Sequence, residues 1–423
     1  MSERIVIKEI CEVYDGPHAT PKKTVDGPVY LGIDAITDDG KINAKEFAHL
    51  SEEDYIKWTK RVTPQYGDIV FSYEATLGRY ALIPKDFYGC LGRRLAIIRN
   101  VSKDIDTLWL YYYFLSPEWN RFIQSKIIKG STVNRISVED FPTYTVPNIS
   151  IKVQRKIANI LSKIDEKIAL NNNINDNLEQ QAKLLYDYWF TQFDFPDESG
   201  KPYRSSGGKM VWNEQLKMEI PFSWVCSKME NAIEAVRTGL NPRNNFKLGN
   251  GNIKYITVKN LCLNGSLDFS GCDTIDEQAR QIIHRRSDIQ IDDILFASIA
   301  PLGRCYLIQE NPTNWDINES VFSIRYNSSV LTAEYLYMNL QSEAFVKRAT
   351  ACSTGSIFKG IRINSLMDSE IILPPLFVTK EFSKEIKPLF ALQKELDRET
   401  HTLIQLRDWL LPVLMNGQAT ISD

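Results

Sequence analysis

The chain has 423 residues, enough for two or more domains, with 43% hydrophobic and 24% charged residues and a net charge of −3. Its longest apolar runs, such as LWLYYYFL at 108–115, fall far short of the roughly 18 residues that a membrane span needs. The charged start MSERIVIKEI is unlike a secretory leader, so a cytoplasmic location is expected. Seven cysteines without a CxxC pair read as reduced thiols, and four histidines, none at ligand spacing from a cysteine, argue against a zinc site.

Along the chain, YLGID at 30–34 and GDIVFS at 67–72 read as strands, short and apolar between Gly or Asp. Between them SEEDYIKWTKR at 51–61 reads as a helix, with Ser51 as N-cap and acids in the first turn. The run TLWLYYYFLSPEWNRFIQSK at 107–126 predicts largely buried helix. Its Tyr111, Tyr112 and Tyr113 could stack bases, but so apolar a helical run needs burial. Charge is uneven. Residues 1–90 hold eleven Lys/Arg against fifteen Asp/Glu, whereas 91–137 hold eight against three.

From Ile157 a heptad register runs with Ile157, Ile164, Asn171, Leu178 and Leu185 at a, and Leu161, Ile168, Asn175, Ala182 and Trp189 at d. It predicts a helix over 153–191, roughly 55–60 Å long at 1.5 Å per residue. The two asparagines either fix register at a cost in stability or mark a local fray. Residues 194–224, rich in Pro, Gly and Ser, read as a linker whose aromatics pack on a surface.

The chain then repeats itself. GDIVFSYEATLGRYALIP at 67–84 returns as DDILFASIAPLGRCYLIQ at 292–309. Asp68, Ile69, Phe71, Leu77, Gly78 and Arg79 reappear 225 residues later as Asp293, Ile294, Phe296, Leu302, Gly303 and Arg304. Tyr30 falls on Tyr255, Gly40 on Gly265, and Gly130-Ser131 on Gly355-Ser356. A repeat of this length is a duplicated domain, not a solenoid unit. TIDEQARQIIHRRS and TAEYLYMNLQSEAFVKRA match the two helical segments of the first half. The heptads return as Phe382, Leu389, Leu396, Leu403 and Leu410 at a, with Ile386 at the first d. Gln393, Thr400 and Arg407 at the later d positions make this seam less regular, and Pro388 is expected to kink the helix or delay its start. Two long apolar stripes in one chain are most simply buried against each other.

No P-loop, nucleotide-binding glycine turn, GxSxG elbow or nuclease-type acid cluster occurs. The acid pairs at 38–39, 53–54 and 292–293 read as solvated turns. Tandem units on a stiff spacer can bind two places at once, and a two-part DNA sequence has that geometry.

GSTVNRISVEDFPTYTVPNISIKVQRKIANILSKIDEKIALNN at 130–172 resembles the end of a target-recognition domain and the central helix of type I restriction–modification specificity subunits. LLYDYWFTQFDFP with GKPYRSSGGKMVWNEQL resembles the central linker of that family, and RDWLLPVLMNGQ at 407–418 its C-terminal signature. STGSIFKGIRIN in place of GSTVNRIS, and Asp292 in place of Gly67, depart from the first repeat. The resemblance implies an α+β chain: two similar α/β target-recognition domains separated by two long helices that pair as an antiparallel coiled coil. Its parts would be 1–150 and 225–375 for the recognition domains, 151–193 for the central helix, 194–224 for the linker and 376–423 for the C-terminal helix and tail. The resemblance further implies a non-catalytic subunit that reads a bipartite site on double-stranded DNA. Two methyltransferase subunits and restriction–translocase subunits would bind it, and S-adenosylmethionine, ATP and Mg²⁺ would belong to those partners.

Candidate DNA contacts are Arg93, Arg94, Lys129, Asn134 and Arg135 in the first unit, and Lys259, Arg285, Arg286, Lys359 and Arg362 in the second. Each could equally be a solvated side chain. Arg79 and Arg304 recur and so read as structural, because two units reading different sequences should differ at their base contacts. The seam would be Ile157, Leu161, Ile164, Ile168, Leu178, Leu185, Phe382, Leu389, Leu396, Leu403 and Leu410. A coiled-coil scaffold for protein-binding modules and a degenerate DNA-modifying enzyme are the alternatives.

Overall fold

The computed structural model describes residues 3–130, 133–351 and 360–417. They form two compact units, one of 1–171 with 398–423 and one of 172–397. The long helices Ile151–Tyr186 and Leu376–Met415 therefore contribute to both.

In the first unit a four-stranded antiparallel sheet runs Cys11–Asp15, Leu95–Asn100, Ile69–Ser72, Tyr80–Leu82. Ile69, Phe71, Ala96 and Ile98 face a core built on helices Thr107–Leu115 and Pro117–Gln124. Val70, Ala81, Leu95 and Ile97 face a second core with Leu31 and Leu91 of a three-stranded sheet, Ala48–His49, Thr24–Leu31, Gly89–Leu91. Both faces are covered, which is why IVF is a continuous apolar run and not an alternating one. Ser51 does cap helix Glu52–Trp58, its Oγ accepting from the Asp54 amide at 3.2 Å. The 107–126 run is two helices broken at Ser116-Pro117, where Ser116 Oγ caps the second and proline takes its first position.

The second unit repeats this topology. Its four-stranded sheet is Ile233–Thr238, Val321–Tyr326, Ile294–Ala297, Cys305–Leu307, and its three-stranded sheet Asp273–Ile275, Ile253–Ile256, Trp315–Ile317. The repeated Asp explains itself here. Asp293 accepts two parallel bonds from Arg325 (2.8 and 2.9 Å) and one from the Gln290 amide at 2.9 Å. Asp68 does the same with Arg99 (2.8 and 2.7 Å) and the Gln65 amide at 2.8 Å. Gly40 recurs as Gly265 because each sits in a left-handed turn against a tyrosine, where a Cβ on Gly40 would meet the Tyr111 hydroxyl at 2.6 Å.

Residues 194–224 are more than a linker. They include a β-hairpin, Met210–Asn213 with Met218–Pro221, and bury Phe195 and Trp224 in the second unit's core beside Phe193.

Within each unit the two long helices pair antiparallel. In the first unit Asp165 meets Arg407 at 3.1 Å, Lys167 meets Glu399 at 3.1 Å, and buried Asn171 donates to Glu399 (2.8 Å) and Thr400 (3.3 Å). In the second, Asn175 donates to Asp397 at 2.7 Å and accepts from Gln393 at its carbonyl, while Tyr186, Trp189 and Phe190 surround Phe382. Gln393, Thr400 and Arg407, irregular in the heptad pattern, thus each face a polar or ionic partner on the other helix. Such polar rungs specify register. Ile157, Leu161, Ile164, Ile168, Leu178, Phe382 and Leu396 are buried, and Leu185, Leu389, Leu403 and Leu410 half-buried. The second helix starts at Leu376 and runs through Pro388. Pro388 is exposed, so water can take the carbonyl it leaves unpaired. The first helix ends its α-helical turns at Tyr186 and closes with a wider turn, Asp187–Thr191.

Candidate nucleic-acid interface

The five candidates of the first unit surround one backbone junction. Past strand Ile69–Ser72, the Tyr73 amide donates to the Arg94 carbonyl at 3.1 Å, and the Ile136 amide donates to the Tyr73 carbonyl at 2.8 Å. Glu74 pairs with Arg135, and Arg135 with Ile128 next to Lys129. The Gly92 amide donates to the Leu31 carbonyl at 2.7 Å, and the Arg93 amide to the Tyr30 hydroxyl at 3.1 Å. Arg94 is left-handed (φ 74°), with its Nε 3.1 Å from Glu74. Arg93, Lys129, Asn134 and Arg135 are exposed and Arg94 half-buried.

The second unit builds the same junction. The Ser298 amide donates to the Ser320 carbonyl (3.0 Å), the Ile361 amide to the Ser298 carbonyl (2.8 Å), and the Asn318 amide to the Ile256 carbonyl (2.8 Å). Ile299 pairs with Gly360 as Glu74 pairs with Arg135. Lys259, exposed on the turn Val258–Asn260, lines a hollow of about 480 Å³ with Ile299, Asn318 and Ser320. Exposed Arg362 follows two residues after Gly360. Lys359 lies outside the described residues.

Arg285 and Arg286 are elsewhere, in the last turn of helix Glu277–Ser287. The end of the helix dipole favours cations there. Arg285 lines an open hollow of about 580 Å³ with Arg237, Arg280, Gln281, His284 and Asp288, sharing no residue with the Lys259 hollow. Arg286 Nε donates to Thr238 Oγ1 at 3.2 Å. Burial pushes the Asp288 carboxyl up, but bonds from Arg325 and Gln290 and the charge of Arg237 outweigh it and hold the group below the ordinary range. The hollow keeps a surplus of positive charge. The same place in the first unit, just past helix Glu52–Trp58, holds exposed Lys60 and Arg61. The candidate set omitted both, although the 225-residue offset from Arg285 and Arg286 points to them.

Other aromatic and basic groups belong to the scaffold. Tyr111, Tyr112 and Tyr113 are buried, their hydroxyls bonded to the Gly40 carbonyl, Asp165 and Arg4. Burial raises the Tyr111 phenol far above its ordinary value, so it stays neutral. Arg79 is spent on Asp38 and the Ile36 carbonyl. Among the described residues no group of three or more His, Cys, Asp or Glu is placed to hold a metal ion, and no helix is long and apolar enough to cross a membrane.

Residues 2–180 match the family model described as the type I restriction modification DNA specificity domain. The chain is 22% identical over 380 residues to the type I restriction enzyme MjaIX specificity subunit of Methanocaldococcus jannaschii, covering 89% of this chain and 82% of that one. It is 20% identical over 410 residues to the HindI specificity subunit of Haemophilus influenzae, covering 83% and 86%. Among solved structures, the type I restriction–modification S subunit from M. genitalium shares the fold, with a TM-score of 0.57 at 14% identity over 99% of this chain and 96% of that one.

Proposed function

We propose that this chain, a member of the type I restriction–modification specificity subunits, reads a bipartite DNA site with one half-site per unit, while its paired helices set the spacing between halves. The observation that carries this reading is a scaffold built twice on the same backbone hydrogen bonds, with different charges displayed at the same junction. Exposed Lys and Arg at the helix ends and loop edges would neutralise phosphates and supply salt-dependent affinity. Base-edge contacts at the junctions would set sequence. The helix pair would also dock two methyltransferase subunits, with restriction–translocase subunits completing the enzyme in the cytoplasm. S-adenosylmethionine, ATP and Mg²⁺ would act in those partners, and this chain would carry no catalytic group of its own.

The test is a DNA-binding titration of the chain co-purified with its methyltransferase. Each phosphate neutralised should add about −0.9 to the slope of log affinity against log salt. The chain alone should neither methylate nor cut DNA. A flat salt response would favour a protein-binding scaffold, and modification by the isolated chain would favour a DNA-modifying enzyme.

A further inference from the structure

We propose that residue 93 of the first unit and residue 319 of the second occupy one base-reading position of the fold and carry opposite chemistry there. Arg93 takes the acceptor edge of guanine, and Glu319 takes the amino donor of cytosine. The assignment rests on the DNA-reading function proposed above and names where that reading happens.

The backbone makes the two positions equivalent. Gly92 and Asn318 each donate an amide to the strand beside them, at Leu31 and Ile256. Arg94 and Ser320 each accept, at the carbonyl, from Tyr73 and Ser298. The residue between these anchors is Arg93 in one unit and Glu319 in the other. A constant offset of 225 would set Arg93 on Asn318. The sheets show that one residue has been inserted by this point, since Leu31 pairs with Leu91 and Ile256 with Ile317.

The flanking residues are committed to holding the loop. A side chain on Gly92 is excluded, because a Cβ there would lie 2.4 Å from the Leu31 carbonyl oxygen. Arg94 pairs with Glu74. Asn318 Oδ1 accepts from the Ser320 amide at 3.0 Å. Arg93 and Glu319 are exposed, and among the described residues neither side chain makes a hydrogen bond or ion pair. The buried ion pair that serves the scaffold recurs unchanged, Asp68 and Arg99 returning as Asp293 and Arg325. A position between the same two backbone anchors, with no partner and an inverted charge, has no scaffold role to preserve. Phosphate contact does not account for it either, since a carboxylate repels phosphate. Base edges accept both chemistries: guanine presents O6 and N7 to an arginine fork, and cytosine presents N4–H to a carboxylate.

The experiment sequences N6-methyladenine in DNA modified by the full chain assembled with its methyltransferase, for the unaltered chain and for Arg93→Lys, Arg93→Ala and Glu319→Gln. Each variant should relax one base position in one half of the motif and leave the other half and the gap unchanged. Discrimination at that position should fall roughly 5- to 150-fold for the alanine. Arg93→Lys keeps the charge and loses the fork, so it separates base reading from phosphate contact. Variants that assemble and methylate the unaltered motif with full stringency would overturn the assignment, as would weakening shared by all sequences. Absence of any motif with the unaltered complex would instead refute the DNA-reading function beneath it.

Discussion

Replacing Asp68 with alanine should damage the first unit more than replacing Asp293 damages the second, although the two residues hold the same place. Both carboxylates are buried, at 3% and 1% exposure, and each takes a two-pronged bond from an arginine and one from a backbone amide. Removing one partner of a buried pair costs about 3–5 kcal/mol, mostly because the other charge is stranded. Without Asp68, Arg99 keeps the Thr63 carbonyl at 2.9 Å and the face of the Tyr14 ring, 5.4 Å from its centroid, but no carboxylate hydrogen bond. Without Asp293, Arg325 still holds Asp288 through its carboxylate at 3.1 Å and its carbonyl at 2.6 Å. Asp293→Ala also loses the Ser323 hydroxyl, a bond of about 1 kcal/mol. We therefore expect about 4 kcal/mol for Asp68→Ala and about 2–3 kcal/mol for Asp293→Ala. The assay is amide hydrogen exchange in strands Ile69–Ser72 and Ile294–Ala297 of the full chain, each repeat serving as the other's control. The difference of about 1–2 kcal/mol corresponds to about a 5- to 30-fold difference in loss of protection. Equal losses, or the reverse order, would refute the claim that the stranded arginine sets the cost.

Asp316 is fully buried, and burial raises its carboxyl above the ordinary value against bonds from Ser287, the Ile317 amide and His284. A raised folded value contributes stability at low pH that is lost as pH rises through it. Asp316→Asn, which mimics the protonated form, should therefore gain on the unaltered chain in urea midpoints as pH rises above about 4; a gap independent of pH would sink this. Replacing Lys60 and Arg61, or Arg285 and Arg286, with alanine should weaken DNA binding across all sequences and flatten the salt slope by about one for each phosphate no longer neutralised. A changed methylation motif would show that these helix ends read bases instead. One heptad inserted at matched points of both long helices adds about 10 Å to each. It should widen the gap by about three base pairs; an altered half-site with the gap unchanged would contradict the spacing role.

The duplication, the central strands and the long helices were legible because each leaves a local pattern: a constant offset, a short apolar run, a heptad. What was not legible depended on a partner distant in sequence. Gln393, Thr400 and Arg407 look like defects in an apolar seam until Asn175, Asn171 and Asp165 stand opposite them. Residues 194–224 have linker composition, yet Phe195 and Trp224 anchor them, and composition does not report where an aromatic is buried. Pro388 signals a break, but on an exposed helical face water can donate to the carbonyl it frees. At the candidate site, charge alone picked out Arg93 and Arg94 together. Only the ion pair to Glu74 separates them, leaving Arg93 free and Arg94 holding the loop. Glu319 escaped notice because phosphate recognition points only to cations, and because a one-residue insertion hides its correspondence to Arg93.

The central claim is that two equivalent units, held by one pair of helices, read two different short sequences at a set distance. Mapping N6-methyladenine across the genome of cells that express this chain with its methyltransferase tests it most directly. The account predicts an asymmetric motif of two unlike halves separated by a constant number of unspecified bases. A single uninterrupted palindrome would contradict it.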